Sequence, residues 1–278
     1  MATIETRAET VIRPPGAAVR LDPRELLRYR HLLVALIWRD IRMQFDAVHL
    51  GFLWACTRPV LYVLFFSAFR NLSGANTQVS IPYPVYVYSG LIIWYYFLDA
   101  TLSSSRAIAR DAGLWTKVYY PRLIAPIVPS VAAGVNLAIS LIPMFFMMVY
   151  FGVMPGWQIL LLPLVAVQCL AMVLGLGTIF SALSLASRDW DRFLQFSLFL
   201  GLFVSPVIYA PDMIPPSARF VYHLNPMVGT LLAFRSVFFG DFPFPLEQWL
   251  YASAVSVVLL VVGLRVFQRA EVDFADKL

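Results

Sequence analysis

Asp189 and Asp191 stand two residues apart in Ser187-Arg188-Asp189-Trp190-Asp191-Arg192, a spacing that could serve acid–base or metal chemistry. Arginines flank both, and no third partner completes a constellation, so a salt-bridge cluster in a tight loop is the better reading. His31, His49 and His223 show no metal-ligand spacing. Cys56 and Cys169 fall inside apolar runs, read as small membrane-core residues and imply no disulfide framework. The two lysines, Lys117 and Lys277, sit in no G-x-x-x-x-G-K-[ST] run, so the chain carries no P-loop. No catalytic site, no metal site and no cofactor is expected in it.

Two charges interrupt apolar stretches instead. Arg58 lies about seven residues into one run and Asp99 about six residues before the end of the next, depths of roughly 10 Å and 9 Å at 1.5 Å per residue. An isolated charge at that depth is costly enough to seek a partner, so Arg58 and Asp99 are expected to pair. The alternative is that Arg58 snorkels and Asp99 faces a water-filled path. Trp54, Arg58, Tyr62, Phe65 and Phe69 follow steps of three and four, one helical face. Tyr88, Tyr95 and Asp99 share a similar face on the next run. A translocation path lined by these two faces is expected.

Composition says what must position them. Hydrophobic residues make up 60% of the 278, against roughly 45–50% in soluble proteins. Charged residues make up 13%, about half the usual quarter. A compact soluble fold cannot bury that much apolar surface. A soluble enzyme, a disordered tail and a nucleic-acid-binding domain are excluded, despite the net charge of +5.

Six continuous apolar stretches read as transmembrane helices: Gly51–Phe69, Val85–Ser105, Leu123–Phe151, Gln158–Ala186, Phe193–Tyr209 and Trp249–Phe267. Each is near or above the ~20 residues needed to cross ~30 Å of hydrocarbon. Pro126, Pro129, Pro143 and Pro163 predict tilt or kinks in the third and fourth. Continuity of the runs excludes a β-barrel. The fold class is an all-α polytopic membrane protein.

Before the first span, Asp22-Pro23-Arg24-Glu25 reads as a capping box with Pro at the first helical position. The helix behind it sets Leu26, Leu33, Ile37, Ile41 and Phe45 near one face and is too charged to span. An amphipathic helix on the inner membrane surface fits, with an ordinary solvated helix as the alternative. Met1–Leu21 lacks a signal-peptide pattern and reads as a tail. Seventeen of the 21 Lys and Arg fall in the tail and this helix, in the loops after spans two and four, and at the C-terminal end. That side is cytoplasmic by the positive-inside rule, with both termini inside. The organisation is therefore a tail (1–21), an interface helix (22–48) and a six-span domain (49–278). Within the last, 212–241 is too short and polar to span. Two short re-entrant helices on the periplasmic side, satisfied by burial in protein, compete with a surface loop.

Arg106–Arg122 is a cytoplasmic segment with mixed charge and a Trp. Arg106, Arg110, Asp111, Leu114, Trp115 and Lys117 suit docking of a soluble partner, or else a membrane-surface turn. Aromatic density is high, with 22 Phe, 13 Tyr and 7 Trp. Rings could form a wall along which a glycan slides, or an interfacial belt.

Several segments taken in order resemble a known family. They are the amphipathic helix, His49-Leu50-Gly51-Phe52-Leu53-Trp54, Lys117-Val118-Tyr119-Tyr120-Pro121-Arg122, Leu224-Asn225-Pro226-Met227 and Phe234-Arg235. The chain, from about Leu26 to Phe267, resembles the permease subunit of type-2 ABC exporters, in the branch exporting O-antigen, capsular or teichoic-acid polysaccharides. The resemblance implies a homodimeric channel in the bacterial inner membrane. Two copies of a separate ABC ATPase subunit would dock on it, and ATP and Mg would belong to that subunit. A polyprenyl pyrophosphate-linked glycan would reach the path near Leu50 and Gly51. Residues around Asn225, Pro226 and Arg235 would form the outer gate. A small-molecule or lipid exporter of the same superfamily and a membrane enzyme acting on polyprenyl-linked sugars are the competing readings.

Overall fold

A computed structural model describes residues 28–46, 51–73, 81–111, 113, 120–240 and 242–271, with backbone alone at 46, 51–55, 73 and 271. The tail 1–21 and the capping box lie outside the described residues.

Among the described residues the structure is helical, without strands. The helices are α1 (Arg30–Asp46), α2 (Gly51–Ser73), α3 (Tyr83–Ser105), α4 (Ala107–Arg110), α5 (Ile124–Tyr150), α6 (Leu162–Ala186), α7 (Asp189–Val204), α8 (Arg219–His223), α9 (Pro226–Phe238) and α10 (Leu246–Glu271). A 3-10 turn, Trp157–Leu161, leads into α6. Among the described residues four segments are long and apolar enough to cross a membrane: Tyr83–Ser105, Ile124–Tyr150, Trp157–Ala186 and Leu246–Ala270. The chain is a polytopic helical membrane protein. α2 has the length of a span, with Arg58 inside it and Arg70 in its last turn, and its first five side chains lie outside the described residues. α7 has only 16 residues, about 24 Å at the α-helical rise.

α3 is the hub. It packs on α2, α5, α6, α7 and α9, and most of its residues are buried, including Tyr86, Tyr88, Leu91 and Trp94. An apolar helix buried all round belongs inside a bundle rather than against lipid. α6 and α10 pack most extensively of all. Their crossing is built on Gly175 and Gly263. A Cβ at Gly175 would meet the Leu259 carbonyl carbon at 2.6 Å, and one at Gly263 would run into Thr178 and the Gly175 backbone. In lipid, where apolar burial gives little drive, such close backbone approach is the main source of helix association.

The prolines divide by position. Pro163 stands in the first turn of α6 and Pro126 in the first turn of α5, where a missing N–H costs nothing. Pro129 and Pro143 are interior to α5, which runs through both. Pro143 cannot donate to the Ile139 carbonyl four residues back. The Cys56 thiol of α2 approaches that oxygen instead, at 3.9 Å. Helix-breaking residues are tolerated in spans when a neighbour meets the freed group.

The fifth apolar stretch differs from the expectation Phe193–Tyr209. Its helix begins at Asp189, so the two aspartates form the first turn rather than a loop. There they complement the positive end of the helix dipole. It stops at Val204, and Ser205–Ala210 is an irregular elbow. The described part of 212–241 divides into a largely exposed stretch and a buried helix. α8 is largely exposed, but α9 is buried along nearly its whole length between α3, α6 and α10. Asn225 caps α9, its side-chain oxygen accepting from the Met227 N–H at 3.0 Å while its amide donates to Ser205 Oγ at 2.9 Å. Asn225→Ala is expected to lower stability by about 1 kcal/mol, seen as a lower thermal-unfolding midpoint of the purified chain.

Candidate functional site: a polar cleft at the end of the helices

Arg58 of α2 and Asp99 of α3 meet as their depths require. One guanidinium nitrogen lies 3.1 Å and 3.2 Å from the two carboxylate oxygens. The guanidinium also lies over the Tyr95 ring, 4.9 Å from its centroid. Tyr62 packs beside Tyr95 at 5.8 Å between centroids. Arg58, Tyr62, Tyr95 and Asp99 are thus brought together by two adjacent antiparallel helices.

Arg58, Tyr95 and Asp99 form one wall of an open cleft of about 490 Å³, bounded elsewhere by α1, α4 and α5, and Tyr62 stands beside Tyr95. Gln44 and Asn136 join α1 to α5 across it, the Asn136 amide donating to the Gln44 carbonyl at 3.1 Å. Arg106 and Arg110 stand at its rim. The cleft therefore presents three half-exposed guanidiniums, each also paired with a carboxylate, together with Asp99 itself, two amides and the Tyr95 ring. That set can hold an anion bearing several oxygens, for which the arginine fork is suited, and can contact the apolar faces of a sugar.

The remaining path residues divide. Phe65 and Phe69 continue the α2 stripe, stacked at 6.5 Å, and are more than half exposed. Tyr88 corrects the expectation. It lies on the same side of α3 as Tyr95, two turns away, but there α5 covers it. It is fully buried, and its hydroxyl donates to the Ser140 carbonyl at 3.1 Å. The cleft ends before it. Of Gly51 and Trp54 only the backbone, in the first turn of α2, is described, and Leu50 lies outside the described residues.

The described charges of the expected docking segment, Arg106, Arg110 and Asp111, are engaged inside the chain. Arg106 donates twice to Asp191, at 2.8 Å and 3.0 Å, and ties the end of α3 to the start of α7. Arg110 reaches Asp40 of α1 at 3.0 Å and Asp111 at 3.4 Å, and Arg39 reaches the same two carboxylates at 3.1 Å and 3.5 Å. Asp40 and Asp111 are buried. Asp189 pairs with Arg192 at 3.5 Å on the surface. The anticipated salt-bridge cluster around Asp189–Asp191 is present, and it extends to Arg106. Leu114, Trp115 and Lys117 lie outside the described residues.

Asn225 and Pro226 open α9, as described above. Arg235 is buried near the opposite end of α3 from the cleft, against Tyr86. Nothing in the sequence singled out Asp40, Gln44 or Asn136, which look like ordinary polar residues of a surface helix and a span. Nor did it single out Tyr83 and Tyr86, two among many aromatics.

Residues 31–239 match the model of the ABC-2 type transporter family. The chain belongs to that family. It is also similar along nearly its whole length to curated proteins. An O-antigen export system permease protein (RfbA) of Myxococcus xanthus is 30% identical over 261 residues, covering 92% of this chain and 98% of the relative. A protein of the same name from Klebsiella pneumoniae is 27% identical over 251 residues, covering 88% and 94%. The polysialic acid transport protein KpsM of Escherichia coli is 24% identical over 242 residues, covering 85% and 92%. This ABC-2 transporter chain is a permease subunit, and the family architecture assigns ATP hydrolysis to a separate chain.

Proposed function

We propose that this permease moves a lipid-linked polysaccharide of the O-antigen type from the cytoplasm to the periplasm across the bacterial inner membrane. The observation that carries the reading is the similarity to O-antigen export permeases over nine-tenths of the chain. Two copies of the chain would enclose the path, and two copies of an ABC ATPase, holding ATP and Mg, would drive it.

In this reading α2 and α7 complete six spans. α7 is helped across by the elbow Ser205–Ala210, which is buried in protein rather than open to lipid. The charge distribution supports placing both termini and the Arg58–Asp99 cleft on the cytoplasmic side, and α8 and α9 toward the periplasm. The cleft receives the pyrophosphate of a polyprenyl carrier. Arg58, Arg106 and Arg110 face the anion, and the Tyr62–Tyr95 pair lies where the first sugar follows. The exposed Phe65 and Phe69 extend an aromatic surface beyond them. Weakly hydrogen-bonding rings let a glycan pass without trapping it.

The test is to remove the gene from its host and follow two pools of glycan. Surface polysaccharide is expected to disappear while lipid-linked glycan accumulates in the inner membrane, and re-expression of the chain with its ATPase restores export. Unchanged surface polysaccharide, with loss of resistance to a small toxic compound, would instead assign the chain to small-molecule export.

A further inference from the structure

The elbow after α7 is irregular backbone inside the protein, and its carbonyls need partners. Four in succession find them on side chains. Arg235 of α9 donates to the Pro206 oxygen at 2.6 Å and the Val207 oxygen at 2.7 Å. Tyr83 donates to the Ile208 oxygen at 3.1 Å and Tyr86 to the Tyr209 oxygen at 3.0 Å. The Tyr86 hydroxyl in turn accepts from Arg235 at 2.6 Å, and the guanidinium lies over the Tyr86 ring, 3.6 Å from its centroid. Asn225 at the start of α9 adds its bond to Ser205.

Arg235 is 3% exposed and forms no ion pair among the described residues. Its charge is met by carbonyl dipoles and one aromatic face. Gly90 makes the approach possible. A Cβ there would lie 2.5 Å from the Arg235 guanidinium and 2.8 Å from the Val207 oxygen. If the elbow left α3, a buried cation would lose most of its acceptors and four carbonyls would be left without donors. Arg235 and Tyr86 are buried, so these losses would be made at groups that water does not reach in the folded protein.

We infer that Arg235, with Tyr83 and Tyr86, is a positioning residue that fixes the elbow Ser205–Ala210 to α3, so that α3, the elbow and α9 travel as one body through the transport cycle. The path then opens by movement of this body against its surroundings, and the contact itself stays closed. The nucleotide arm of the test rests on the exporter reading, and the variant arm does not.

The experiment is hydrogen–deuterium exchange of the peptide covering 205–210 in the full permease–ATPase complex in lipid nanodiscs. In the unaltered protein, exchange is expected to be equal without nucleotide and after vanadate trapping with ATP. A tenfold rise on trapping overturns the inference, because the clamp would then be a latch that opens. Arg235→Ala is expected to raise exchange at least tenfold in both states, and Arg235→Lys to recover part of the protection. Unchanged exchange in Arg235→Ala overturns the role given to Arg235. A failure of the complex to form or hydrolyse ATP would count against the exporter reading and leave the variant arm readable in the permease alone.

Discussion

Arg58→Asp is expected to cut polysaccharide export about tenfold or more, Asp99→Arg to do the same, and the double exchange to recover a substantial part. On insertion scales an unpaired charge deep in a span costs roughly 2.5–3.5 kcal/mol, an upper bound of about two decades in rate. The pair faces an open cleft and both side chains are about half exposed, so water screens it and the effect falls toward the lower decade. Charge reversal at one position sets two like charges facing each other across the same contact, where attraction had been. The double exchange restores opposite signs. Recovery stays partial, because an aspartate at 58 is too short to reach across to α3 as the Arg58 side chain does, and the stacking of Arg58 on Tyr95 is given up. Export is measured as labelled glycan reaching the surface, normalised to inserted protein. Normal insertion without any recovery in the double variant would show that the two charges act separately.

The same pair shows what the sequence could reveal. Helix rise is constant, so counting residues from the ends of two adjacent apolar runs gives comparable depths, and partners can be matched along the membrane normal. That arithmetic found Arg58 and Asp99. The apolar runs placed α2, α3, α5, α6 and α10 within a few residues at most ends. What surrounds a given face depends on the neighbours packed there, and the counting contains none of that. Tyr88 shares the side of Tyr95, yet lies under α5 while Tyr95 lines a cleft. The contacts of the α7 elbow were hidden for a related reason. Pro206 marks the break itself, since a residue before proline is pushed to extended backbone and Ser205 is extended. The partners of the elbow's side-chain donors, however, are backbone carbonyls, which every residue has, and no side-chain pattern names them. Arg235 read as a charge in the polar region 212–241 and, by resemblance, as part of an outer gate, and its enclosure, among the deepest of any charge in the described residues, could not be read from it. Ion pairs between α1 and α4 were equally illegible, because aspartates and arginines on an amphipathic helix read as a solvated face.

That last network gives the second large effect. Asp40 is 3% exposed and accepts from Arg39 and Arg110, so it joins α1 to α4 at the segment expected to meet the ATPase. Asp40→Asn keeps the shape but removes the charge, leaving Arg110 to share Asp111 with Arg39. Breaking a fully buried pair costs about 3–5 kcal/mol, but the two guanidiniums remain more than a third exposed and solvent recovers much of it. A loss of about 1–2 kcal/mol in stability is therefore expected, together with weaker retention of the ATPase. Removing Arg110 as well takes away the charge left without its partner. Asp40→Asn with Arg110→Gln is then expected to be no less stable than Asp40→Asn alone, a clear departure from additivity. Thermal unfolding of the four members of this cycle, with ATPase co-purification as the second readout, checks it. Strict additivity would mean that α1 and α4 are held by packing alone. It would also return Arg110 to the role its sequence position suggests, a residue facing the partner. The cycle also separates two effects that deleting Arg110–Lys117 would merge, since that deletion removes both the proposed docking segment and the anchor of α1.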